Sequence, residues 1–127
     1  MVMSAMVLGT AGLALLFAPS ELGRLAAGTD SAAASPASLQ LWAAALLGLG
    51  ATNWIGRGLT LGGIYGRALV TGNVVHWTVG TLIGVRAALD RPSSALLWVG
   101  AALYGVFALS FYWLLRRHPL PASSGAP

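Results

Sequence analysis

The chain has no cysteine and no lysine, and only three acidic residues, Glu21, Asp30 and Asp90. Without cysteine there is no disulfide, no thiolate nucleophile and no Cys-ligated metal, and composition gives no sign of redox compartment. Charged residues make up 8% of the 127, where a soluble domain carries about 25%. So little charge excludes a surface that faces water all round. The seven basic residues are all Arg and the pI is near 10.8, yet nucleic-acid binding needs a dense basic face. Arg spread through apolar sequence does not make one, so no nucleic-acid partner is expected. His76 and His118 are separated by a whole apolar run, which predicts no metal site. No Ser–His–acid set or acid–base pair can be assembled, so the sequence points away from an enzyme.

What is present is apolar. Hydrophobic residues make up 57%, the mean hydropathy is +0.77, and there are 17 glycines, a mixture usual for closely packed membrane helices. Four apolar runs predict an all-α bundle of four transmembrane helices, near 1–18, 39–57, 68–89 and 95–115, with a disordered tail at 118–127. The first run has no basic start and a poor cleavage pattern, so it reads as an uncleaved span rather than a secretory signal. At ~1.5 Å per residue it is barely long enough, and the true start is expected slightly upstream. Residues 19–38 form the one long connection: Pro19 to Leu25 reads as a short interfacial helical turn, and 28–38 as a loop. Asp90-Arg91-Pro92-Ser93 reads as a turn. The distribution of Arg, and Tyr112-Trp113 beside Arg116-Arg117, place both termini in the cytoplasm.

The most informative polar set surrounds the second connection: Asn53, Trp54, Arg57, Tyr65, Arg67, Asn73 and His76. Asn53 and Arg57 share a helical face by their spacing, as do Asn73 and His76. A third span starting at 68 would put His76 about 12 Å down its helix. No carboxylate occurs between Asp30 and Asp90, so Arg57 and Arg67 lack a nearby counterion. Either both anchor the hairpin at the headgroup boundary, or they line a pocket for an anion or lipid headgroup. The intervening stretch holds Gly56, Gly58, Gly62, Gly63 and Gly66 and reads as helix, loop or re-entrant segment.

His76, on a helix with Gly72, Gly80 and Gly84, is expected as a neutral imidazole bonded to Asn53, Asn73 or a carbonyl. Haem ligation would need a second buried histidine, so no cofactor is expected. Tyr104, Phe107 and Phe111 form a stripe at helical spacing that predicts packing. Gly62-x3-Gly66 and Gly80-x3-Gly84 match the small-residue packing pattern.

The arrangement Asn53-Trp54-x2-Arg57-Gly58-x3-Gly62-Gly63-Ile64-Tyr65-Gly66-Arg67, followed by Asn73-x2-His76, resembles that of small uncharacterised bacterial four-helix integral membrane proteins. The opening span ending Phe17-Ala18-Pro19-Ser20-Glu21-Leu22 is similar to theirs as well. The resemblance implies a four-helix fold and a place in the bacterial cytoplasmic (inner) membrane, and no catalytic activity. Small multidrug transporters carry a membrane Glu in the first span, which is missing here.

Three functions follow as expectations. The first is a non-enzymatic helix-packing component or accessory subunit, homo-oligomeric or part of a larger membrane complex, with a polar Arg/Asn/His site between spans 2 and 3. The second is a small channel or carrier for an anion. The third is a haem- or quinone-binding redox subunit. In all three the partner common to every reading is the lipid bilayer, with anionic lipid or a small anion at the Arg residues.

Overall fold

The computed structural model describes residues 1–27, 35–59 and 63–117. These form α1 (Val2–Phe17), α2 (Pro19–Ala27), α3 (Pro36–Ile55), a 3-10 turn (Gly56–Gly58), α4 (Ile64–Asp90) and α5 (Ala95–Arg117), with no strand among them. The chain divides into two compact units, residues 1–58 and 59–127. Each is built on an antiparallel helical hairpin.

In the first unit α1 stops because Ala18 precedes a proline, a position disfavouring helical backbone. Ala18 adopts φ −128° and ψ 50°, and Pro19 then opens α2, where its missing N–H costs nothing. The axis bends by 105° between α1 and residues Pro19–Ala26. α2 is amphipathic, with Glu21 in its first turn and Arg24 in its last, the order that suits the helix dipole. α3 begins at Ser35, whose Oγ accepts from the Ser38 amide at 3.2 Å, with Pro36 at the first helical position. This start lies three residues before the expected 39: the Ser-Pro pair is a helix start signal, and the loop reading of 28–38 is corrected for 36–38. The rest of that expected loop, residues 28–34, lies outside the described residues.

Small residues bring α1 and α3 together. A methyl group on Gly50 would lie 3.2 Å from the Gly9 amide nitrogen and 3.3 Å from the Ala5 carbonyl oxygen. One on Gly12 would lie 2.7 Å from Leu47 Cγ and 3.1 Å from the Ala43 carbonyl. Backbones this close gain dispersion contacts that larger side chains would prevent. Ser4, Ala5, Leu8, Leu39, Ala43 and Asn53 are buried along the seam.

In the second unit α4 starts at Ile64, capped by extended Gly63 (φ −82°, ψ 163°), four residues before the expected 68. Gly66, read as part of a possible break, is a buried helical residue. The expected turn after α4 is present, with the Ser94 amide donating to the Arg91 carbonyl at 3.1 Å. Trp98 Nε1 closes it by donating to the Pro92 carbonyl at 3.2 Å. α5 returns along α4 with Tyr104 seated on Gly80, where any Cβ would meet the ring. Ala101 lies against Gly84, its Cα 3.3 Å from where a methyl would stand. Trp77 is fully buried, stacked on Phe107 with ring centroids 4.5 Å apart and edge-on to Tyr104 at 4.7 Å. The Tyr104–Phe107–Phe111 stripe thus packs inward as its spacing predicts, Phe111 being buried too.

Among the described residues α4 and α5 are long and apolar enough to cross a membrane. α1 meets the test only jointly with α2, as a bent pair. At 16 residues α1 reaches about 24 Å, short of a hydrocarbon core of about 30 Å. α3 has the length, 20 residues, but Gln40 and Asn53 dilute its apolarity. The all-α fold is as expected; of the four anticipated spans, two qualify alone and a third as the bent pair.

Candidate functional site

The six expected site residues fall into two sets. Asn53 and Arg57 belong to the first unit; Tyr65, Arg67, Asn73 and His76 belong to the second.

Asn53 is fully buried and its Nδ2 donates to Ser4 Oγ at 3.1 Å, across the α1–α3 seam. Ser4 Oγ in turn donates to the Met1 carbonyl at 2.7 Å. This chain of bonds gives two buried polar side chains hydrogen-bond partners. Nothing in the sequence signals Ser4 as the partner, since it stands 49 residues away.

Arg57 is exposed and folds back on its own helix end. Its Nη1 donates to the Trp54 carbonyl at 2.6 Å, and its guanidinium carbon lies 4.2 Å from the Trp54 ring centroid. A C-terminal carbonyl and an aromatic face therefore meet the charge that lacked a carboxylate. The Gly56–Gly58 turn that carries it is a 3-10 continuation of α3; residues 60–62 lie outside the described residues.

Tyr65 is 84% exposed on the first turn of α4, and Arg67 is half-buried within that turn. Asn73 is fully buried, donating to the Leu69 carbonyl at 2.9 Å and accepting from Trp77 Nε1 at 3.2 Å. The i, i+4 spacing of Asn73 and Trp77 could have revealed this pair. It ties the largest buried ring to its own helix.

The sequence leads one to expect a hydrogen-bonded His76 imidazole; its Nε2 is buried with no hydrogen-bond partner among the described residues. Ring contacts surround it instead: Trp77 edge-on at 5.2 Å and Tyr104 tilted at 5.7 Å between centroids. The physical reason is the register of α5, which brings Tyr104 onto Gly80 one turn beyond His76 and fills the neighbouring space with aromatic carbon. With α4 starting at Ile64, His76 lies about 18 Å along the helix rather than about 12 Å.

Among the described residues no group of three His or acidic side chains stands together to hold a metal ion. No protein-family model matches the chain, and no curated protein or solved structure is significantly similar to it.

Proposed function

We infer that the protein is an integral membrane component that works by helix packing, as a self-associating bundle or an accessory subunit of a larger membrane complex. The observation that carries this is the contrast between apolarity and burial in α4 and α5. Their most apolar stretches are only 17% and 11% buried, so most of that apolar surface has no protein against it. Apolar helix surface belongs in a protein core or in lipid, and here little protein covers it. Val79, Ile83, Val99, Val106 and Leu109 are among the large side chains left open.

In this reading α1 and α3 complete four spans with α2 lying at the interface, the termini face the cytoplasm, and the resemblance at residues 53–76 supports a bacterial inner membrane. The bonds already made by Asn53, Arg57 and Asn73 favour packing and anchoring over ion conduction. The test is recovery in the membrane fraction after alkaline extraction, followed by sizing in mild detergent. Packing predicts an extraction-resistant protein that runs as an oligomer or with partners, and liposomes that show no anion flux. A protein washed off by alkali would refute the membrane reading; anion flux would replace packing by transport.

A further inference from the structure

The two ends of the α4–α5 hairpin differ in charge. The turn end carries Arg86, Asp90 and Arg91, and Asp90 is the one acid of residues 59–127. The open end carries Arg67, Arg116 and Arg117. The register brings these three to one level. Gly84 lies against Ala101, Gly80 against Tyr104 and Trp77 against Phe107, a step back along α4 for each step forward along α5. Continued to the helix ends, this pairing sets Arg67 level with Arg117. Sequence spacing groups Arg67 with Arg57; within its own unit the hairpin groups it with Arg116 and Arg117.

The open end is also ringed with aromatics. The Arg117 guanidinium lies 4.1 Å from the Trp113 ring centroid and that of Arg116 5.7 Å from Tyr112. Arg116, Arg117, Tyr112 and Trp113 are all exposed, as is Tyr65 on the first turn of α4. Trp and Tyr favour the headgroup level of a bilayer, and Arg presents a fork that matches phosphate oxygens. Three cations without a local acid, at that depth, leave a positive charge for the membrane to complement. Three are too few and too confined for nucleic acid. The cations are spread over an exposed end, so a free anion in water would be held weakly.

We propose that the open end of the α4–α5 hairpin binds the phosphodiester headgroup of an anionic phospholipid, with Arg67, Arg116 and Arg117 as its cations and Tyr65, Tyr112 and Trp113 fixing the depth. This rests on the membrane reading above. The experiment reconstitutes the full chain in phosphatidylcholine with a minor share of phosphatidylglycerol and reads retained lipid by native mass spectrometry. Wild type retains phosphatidylglycerol in preference, and each Arg→Gln change at 67, 116 or 117 lowers that retention about fivefold. R86Q, at the turn end, leaves it unchanged, and R116K/R117K keeps most of it. Should R67Q lose its helical circular dichroism, R116Q and R117Q give the same reading, because both side chains are exposed. Equal loss from R86Q, or no loss from any of the three, overturns the proposal. Displacement of the lipid by inorganic phosphate in solution overturns the choice of a lipid. A wild type that binds no bilayer overturns the membrane reading and this inference together, whereas a bilayer-embedded wild type without lipid preference overturns this inference alone.

Discussion

At the residue scale, the glycines of this chain divide by what stands opposite them. A Cβ at Gly80 would strike the Tyr104 ring, whereas nothing lies within 4 Å of one at Gly72. Gly80→Ala is therefore expected to destabilise by about 1–3 kcal/mol through overpacking. Gly72→Ala should be neutral or stabilising by up to about 1 kcal/mol, from lower backbone entropy in the unfolded chain. Thermal unfolding in detergent, followed by helical circular dichroism, separates the two; equal effects would mean that Tyr104 does not rest on Gly80. The sequence shows both glycines on the same helix and cannot show which one faces a ring. The Ser4–Asn53 bond makes a second residue-scale test. Asn53→Ala should cost about 1–2 kcal/mol, the range of interhelical hydrogen bonds in membranes, and a double-mutant cycle with Ser4→Ala should recover most of it as coupling. Additive effects would place the two side chains apart.

At the scale of single elements, the apolar runs were legible and their edges less so. α5 and the Asp90–Ser93 turn stand where hydropathy and the Arg-Pro pair put them. α3 and α4 start earlier than their apolar content suggests, because helix starts are written in caps rather than in hydropathy. Ser35-Pro36 is such a cap. Ser35→Ala should cost about 1 kcal/mol by removing the bond to the Ser38 amide, a loss visible as a lower melting temperature; an unchanged one would mean the cap bond contributes nothing. The glycines at 56–66 left helix, loop and re-entrant readings open, because glycine both breaks helices and lets them touch; α3 gives way to the Gly56–Gly58 turn, α4 starts at Ile64, and residues 60–62 lie outside the described residues. α2, expected as a short turn, is a nine-residue amphipathic helix set at 105° to α1. With α1 along the membrane normal, α2 lies close to the membrane plane, as interfacial helices do. A nitroxide at Leu25, an exposed apolar residue of α2, should report headgroup depth by power saturation. A fully aqueous or mid-bilayer depth would contradict this placement.

At the scale of the whole molecule, composition pointed to helices apolar enough to cross a membrane, as α4 and α5 are, and the polar residues announced less. Asn53, Asn73 and Trp77 each make a bond within their own unit, and such partners depend on register, which hydropathy does not encode. His76 looked like the residue most in need of a hydrogen bond, yet aromatic rings surround it. Helix periodicity placed it correctly on α4 but could not supply its neighbours from α5. The central claim is that the outer surface of the α4–α5 hairpin faces lipid. The absence of cysteine allows single nitroxide labels at Val79, Ile83, Val106 and Leu109, all exposed apolar positions, in the protein reconstituted into bilayers. The decisive measurement is the ratio of collision with oxygen, which partitions into lipid, to collision with a water-soluble nickel chelate. The account predicts high oxygen and negligible nickel access at all four positions; nickel access matching that of a water-exposed label would contradict it.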